Sequence, residues 1–155
     1  MVRLRAMTAD EFQAFLDWSV PEYARDHVTS GRWKESEAVE RSRAEHAELL
    51  PQGVNTPNNF LRTIHDEGGT RVGEVWFALQ KDGDSSQVFV YWIGINEPYR
   101  RKGYATEVFH IIEAEAKRLG ATRVALHVFG GNQAGRALYE HLGYAVTNVI
   151  MTKPV

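Results

Sequence analysis

Residues 99–106 read YRRKGYAT, a strongly basic run followed at once by an apolar pattern of helical period. The start of a helix leaves its first backbone N–H groups without intrahelical acceptors. The aligned peptide dipoles add about half a positive charge there. Arg100, Arg101 and Lys102 bring three cationic side chains to that point, and Gly103 lets a ligand approach the backbone closely. Together these are the requirements of an anion site, of the kind that takes phosphate groups. On charge alone, such a turn is more often simply solvated. Two familiar phosphate motifs are excluded, because neither G-x-x-x-x-G-K-[ST] nor a G-x-G-x-x-G after a strand occurs.

A second constellation, NQAGRALYEHLGY, runs from Asn132 to Tyr144. Asn132 and Tyr139 are seven positions apart and share one helix face. Ala134, Ala137, Leu138 and His141 or Leu142 face another way, toward a core. Asn132 alone is a favoured N-cap, and Tyr139 alone suits a half-buried aromatic. Their order after the basic turn is what points to chemistry. Three groups elsewhere suit a general base: Glu74, Glu97 and His127. His127 has the right intrinsic range, although a lone strand histidine is more often structural and Glu74 equally suits a solvated strand. Tyr91 fits an active-site wall or, more readily, a core aromatic. No H-E-x-x-H and no dense ligand cluster surrounds His27, His46 or the pair His110 and Glu113, so no metal is expected.

The elements that must position these residues are legible from periodicity. Val2 to Arg5 alternates as a short strand. Thr8 and Glu11 form a capping box with Met7 and Phe12 at staple positions, opening a helix that Pro21 should kink or restart. Glu35 to Leu50 reads as a second helix with a thin apolar face of Ala38, Val39, Ala47 and Leu50. Asn59–His65, Arg71–Gln80 and Ser86–Ile95 are strand-like, joined at Gly68-Gly69 and at Asp82-Gly83, a hairpin signal. Gly103 to Leu119 is a helix with Ala105, Val108, Ile112, Ala116 and Leu119 on one stripe, closed by Gly120. A strand over Arg123–Phe129, a helix over Asn132–Leu142 and a last strand over Tyr144–Thr152 complete the order. The expected fold is α/β (α+β), one domain over residues 1–155, with a mixed, mostly antiparallel sheet flanked by helices.

Composition limits the function. The chain has 155 residues, 43% hydrophobic and 25% charged, in keeping with one soluble domain. It has no cysteine, which excludes a disulfide framework and a thiol nucleophile. A formal net charge of −2 favours neither nucleic acid nor an anionic membrane as partner. No apolar run suits a signal peptide or a membrane span, so a cytoplasmic location is expected.

The two constellations together resemble the GCN5-related N-acetyltransferase (GNAT) family. Its signature R/Q-x-x-G-x-G/A after the fourth strand is met by Arg100-Arg101-Lys102-Gly103-Tyr104-Ala105. Its later N-x-x-A-x-x-L-Y-x-x-x-G-F/Y segment is met from Asn132 through Leu138, Tyr139, Gly143 and Tyr144. The motif match covers residues 86 to 152, and the element order matches across the chain. The resemblance implies acetyl-coenzyme A (acetyl-CoA) as donor and a primary amine as acceptor, with direct attack through a tetrahedral intermediate. Donor-binding residues would be Ile93, Ile95, Arg100, Arg101, Gly103, Ala105, Thr106 and Asn132. Tyr139 would be the general acid, with Glu74 and His127 as base candidates. The acceptor class stays open: a peptide or protein N-terminus, a lysine, a polyamine, an aminoglycoside or a metabolite amine. A homodimer is common in the family.

Two departures from the pattern are visible. Gly135 replaces the usual alanine, a helix cost of about 1 kcal/mol. The strand FVYWIGIN, residues 89–96, holds none of the carboxylates that many relatives use as base. That absence keeps a second reading open, a non-catalytic acyl-CoA-binding sensor or regulatory module. The acids of residues 8 to 60 would attract a cationic amine, but solvated helix faces account for them more simply.

Overall fold

The structure is a computed structural model that describes all of residues 1–155. Five strands form one sheet in chain order: β1 (Arg3–Ala6), β2 (Asn59–His65), β3 (Arg71–Asp82), β4 (Ser85–Ile95) and β5 (Arg123–Leu126). The first three pairings are antiparallel and β4–β5 is parallel. Four helices accompany them: α1 (Ala9–Thr29), α2 (Glu35–Leu49), α3 (Tyr104–Arg118) and α4 (Gln133–His141).

Local sequence explains most of these bounds. Thr8 Oγ1 accepts from the Glu11 N–H at 3.1 Å and Glu11 accepts from the Thr8 N–H at 3.0 Å, which closes the capping box of α1. Met7 and Phe12 pack in the same cluster beneath it, as the staple requires. Asp82 pairs with Ser85 across Gly83-Asp84, and Gly83 takes the positive φ of +60° that this tight turn needs. Val108, Ile112 and Ala116 are buried on the stripe of α3, and Phe109 joins them with no exposed surface. They fill one face of the sheet against Val75, Phe77, Val88 and Val90.

Helices α1 and α2 cover the other face. Their interface is more polar than the sequence pattern suggests. Val39 is 42% exposed, and Ser42 and His46 are buried in its place. Ser42 Oγ donates to the Val20 carbonyl at 2.7 Å. His46 meets the Ser42 carbonyl through Nδ1 at 2.8 Å and Ser19 Oγ through Nε2 at 3.0 Å. One network therefore ties the two helices together.

Several features depart from the sequence pattern. Pro21 does not restart α1, which runs unbroken for 21 residues; Pro21 is exposed, so the carbonyl it leaves unpaired can be hydrated. The strand at Arg123 ends at Leu126 rather than Phe129, because the chain then leaves β4. A β-bulge falls at Tyr91, since Trp76 faces Trp92 while Phe77 faces Val90. Residues 144–152 form no strand and, beyond the half-buried Tyr144, lie exposed, with Ile150 at 79%. Their β-branched composition has no partner register to use, and strand propensity depends on such context.

Burial holds the His46 and His27 imidazoles below their ordinary pKa. The native state then binds fewer protons than the unfolded chain as pH falls below the unfolded value of 6.5. Stability is expected to be full above that value and to fall as acid is added, through the window down to the folded pKa values. Urea midpoints at pH 7.5 and 5.5 measure this, and His46→Gln should flatten the dependence; an unchanged midpoint in the native protein would contradict it.

Candidate functional site

The geometry of the site begins where β4 parts from β5. The last parallel pair is Val90 with Leu126, while β4 stays paired with β3 as far as Ile95. The next N–H, of Asn96, donates to the Val72 carbonyl of β3 at 2.8 Å. Alternation along a strand therefore turns the N–H groups of Ile95 and Ile93 to the other edge, into the opened cleft. Arg100 Nε donates to the Ile95 carbonyl at 2.8 Å. That contact caps the end of β4 and leaves the neighbouring amides free.

The basic turn follows directly. Arg101 has a φ of +63° and Gly103 of +84°, so the backbone curls into the N-terminus of α3. The first amide of α3 with an acceptor is Glu107, bonded to the Gly103 carbonyl at 3.1 Å. The six preceding N–H groups, Arg101 to Thr106, donate to nothing in the chain. Gly103 caps α3 without a side chain in the way. Lys102 Nζ lies 5.6 Å from the Tyr99 ring centroid.

On the α3 side, Tyr139 of α4 packs edge-on against Phe109 at 5.5 Å. Burial pushes its phenol up from 10.0, which keeps it protonated, and its hydroxyl has no hydrogen-bond partner in the chain. Asn132 caps α4, its Oδ1 accepting from the Gly135 N–H at 3.0 Å. A Cβ on residue 135 would stand 2.7 Å from Asn132 Nδ2, so glycine there accommodates the cap and is not merely a helix penalty.

Glu74 and His127 lie on the α1/α2 face, on either side of β4. Glu74 pairs across the sheet with Gly94. Burial raises its carboxyl above 4.5, opposed by Arg71, which lies 3.6 Å away and also meets Glu11 at 3.3 Å. The Trp92 indole lies over Gly94, so that a Cβ there would come within 2.8 Å of Cζ2. Glycine at position 94 thus leaves room for the side chain of Trp92. Trp92 Nε1 has no partner of hydrogen-bonding geometry, yet it lies close enough to Glu74 to favour the ionised carboxyl. His127 stands just past β5, 4.8 Å from the Phe129 ring, and burial lowers its imidazole pKa. Glu97 is exposed in the turn after β4 and joins neither group.

Several lining residues had no motif to reveal them. Trp18 of α1 tilts against Trp92 at 4.7 Å and is 41% exposed. His27 stacks on Trp33 at 3.9 Å and meets Phe129 edge-on at 5.3 Å, with both ring nitrogens buried and unpartnered. No group of three or more histidine, aspartate or glutamate side chains converges on a metal-sized site. No helix is long and apolar enough to cross a membrane.

Comparison with known proteins agrees with this architecture. The family model described as "Acetyltransferase (GNAT) family" matches residues 12–144. The uncharacterized N-acetyltransferase YdgE of Bacillus subtilis is 37% identical over 150 residues, covering 97% of this chain and 96% of its own. The uncharacterized N-acetyltransferase YycN of the same organism is 33% identical over 152 residues, covering 98% and 97%. The crystal structure of YycN superposes with a TM-score of 0.93 over 100% of this chain and 99% of that one. A GCN5-related N-acetyltransferase from Ralstonia eutropha, at 17% identity and a TM-score of 0.68 with 100% and 99% coverage, shares the fold.

The contact between Trp92 and Gly94 is testable without a ligand. Gly94→Ala must displace the indole, at a cost of about 1–3 kcal/mol for overpacking. The expected result is a folded protein with a lower denaturation midpoint and altered tryptophan emission. Identical emission and stability would mean that the indole does not lie on Gly94.

Proposed function

The chain belongs to the GNAT acetyltransferase family, and from that premise we propose that it is an N-acetyltransferase carrying acetyl from acetyl-CoA to a primary amine. The observation that carries this reading is the run of six unpaired amides from Arg101 to Thr106 at the start of α3. Such a cradle, with the helix dipole behind it, fits a pyrophosphate. Arg101 and Lys102 add charge beside it, and Arg100 contributes mainly by holding the end of β4. The amides of Ile93 and Ile95 would hold the extended pantetheine arm, with Asn132 and α4 closing the far side.

When bound, the donor supplies a thioester acyl group and a thiol leaving group. The Ile95 N–H would stabilise negative charge on the acyl oxygen as it develops. Tyr139, kept neutral by burial, would give its proton to the departing sulfur. An amine with a lysine-like pKa of about 10.4 lies about 3.4 units above pH 7, so deprotonation costs about 4–5 kcal/mol. Glu74 is the better-placed base. It stands opposite Gly94 beside the acyl end of β4, and its raised pKa brings it closer to the working range. His127 lies on the other side of β4 and would serve a water-mediated route. The acceptor would enter on the α1/α2 face, because α3 and the core fill the other. A non-catalytic acyl-CoA sensor would use the same cradle. The unpartnered hydroxyl of Tyr139 favours the enzyme.

Calorimetric titration with acetyl-CoA tests the first step. One-site binding is expected, weaker at higher salt and in Arg101→Ala. Absence of binding by the folded protein would remove both the enzyme and the sensor. With an amine that is turned over, Tyr139→Phe is expected to lower kcat by about 10²–10⁴-fold where chemistry limits the rate. An unchanged kcat would take Tyr139 out of the acid role, and binding of acetyl-CoA without coenzyme A release in the presence of any amine would favour the sensor.

A further inference from the structure

Four side chains form a hydrogen-bonded line across three strands on the α1/α2 face. Arg123 of β5, Gln87 of β4 and Gln80 of β3 are directly paired in register. Arg123 Nε donates to Gln87 Oε1 at 2.6 Å, Gln87 Nε2 donates to Gln80 Oε1 at 2.8 Å, and Gln80 Nε2 donates to the Tyr91 hydroxyl at 3.0 Å. The direction is not arbitrary. A guanidinium has donors only, so Gln87 must turn its oxygen toward Arg123. Its amide then donates onward, and Gln80 follows. The Tyr91 oxygen is therefore an acceptor in this line, and its own proton has no acceptor in the chain.

Tyr91 is also held in place. Its ring stacks on Trp76 at 4.4 Å and tilts against Phe89 at 4.8 Å. It is the bulged residue of β4 and the first beyond the last β4–β5 pair, at the lip of the cleft. An isolated hydroxyl adapts to a donor or an acceptor by rotation. A hydroxyl whose oxygen already takes Gln80 keeps its proton free and has one lone pair fewer, which favours a carbonyl oxygen over an ammonium, which has donors only.

We propose that Tyr91, oriented by Gln80, Gln87 and Arg123, is a specificity-determining residue that donates to a carbonyl oxygen of the acceptor, so that the enzyme selects amines bearing an amide, of the aminoacyl or peptide kind, over bare polyamines. This rests on the acetyltransferase reading and on acceptor entry from the α1/α2 face. Arg123 acts through the amides and is a positioning residue.

The experiment compares alaninamide with 1,4-diaminobutane as acceptors of acetyl from acetyl-CoA, reading the ratio of their kcat/KM values. The native enzyme is expected to prefer alaninamide. Tyr91→Phe should lower the ratio by about 5- to 10-fold through the KM for alaninamide, the worth of one hydrogen bond. Arg123→Ala frees the amides to flip and should lower it too, whereas Arg123→Lys, still a pure donor, should preserve it. A preference for the diamine, or a ratio unmoved by Tyr91→Phe, overturns the proposal. A readout without turnover uses the side-chain amide resonances of Gln80 and Gln87. They should exchange slowly with water, shift in Arg123→Ala, and shift on addition of alaninamide to the native protein but not to Tyr91→Phe. Fast exchange, or no response to alaninamide, overturns the proposal even in an active enzyme. Failure to acetylate either amine counts against the acetyltransferase reading, and these resonances then decide the relay alone.

Discussion

The separation of β4 from β5 after the Val90–Leu126 pair is the constraint on which the rest of the molecule depends. A bulge supplies it. The extra residue at Tyr91 increases the local twist of β4 and lets that strand stay with β3 to Ile95 while β5 stops. Two consequences follow from the same event. The amides of Ile93 and Ile95 are left on an open edge, and the continuation of β5 carries His127 and Phe129 onto the α1/α2 face against His27. Had the pairing continued, those amides would be spent on the ladder and no cleft would exist.

The two faces of the sheet are built differently. Against α3 the packing is apolar, with Val72, Val75, Val108, Phe109 and Ile112 wholly buried. Burying such side chains contributes about 1.5–3 kcal/mol each. Against α1 and α2 the layer is aromatic and partly polar, with Trp76, Tyr91, Trp92, His46 and Ser42. The Ser19–His46–Ser42 network satisfies its members, as a buried network must. His27 does not follow suit, with both ring nitrogens unpartnered. The unpaired polar atoms, the bulge and the positive φ of Arg101 all border the cleft, the pattern expected where local rules yield to function.

Sequence was informative where the signal was local. The capping box at Thr8, the Asp82-Gly83 turn, the apolar stripe of α3 and the YRRKGYAT turn each depend on residues within a few positions. Features set by partners elsewhere were less accessible. The bulge lies at Tyr91 because of register against Phe77 and Trp76, which no property of FVYWIGIN reveals; Gly94 instead answers to an indole two residues away. Residues 144–152 have the composition of a strand and no strand to pair with. Ser42 and His46 look like the polar side of a helix and are its inner face, because Val20 and Ser19 offer them partners. Asn132 and Gly135 look like a motif residue and a flaw, and prove to be one cap.

The charge distribution limits how an acceptor can be recognised. Some of the acids of α1 and α2 are matched by nearby arginines, Glu11 with Arg71, Glu22 with Arg25, Glu37 with Arg41 and Glu40 with Arg43, while Asp10, Asp17, Asp26, Glu35, Glu45 and Glu48 pair with none. Exposed pairs of this kind contribute about 0–1 kcal/mol each and are screened by salt. A net charge of −2 adds little field beyond them. The unpaired acids can draw a cation toward this face, but salt screens that attraction and it does not tell one amine from another; Glu74 itself is shared with Arg71. Discrimination must then come from short, directed contacts at the lip of the cleft. A fixed hydroxyl proton and a half-buried carboxylate are contacts of that kind, since each acts over one bond length and neither depends on the charge of the whole molecule.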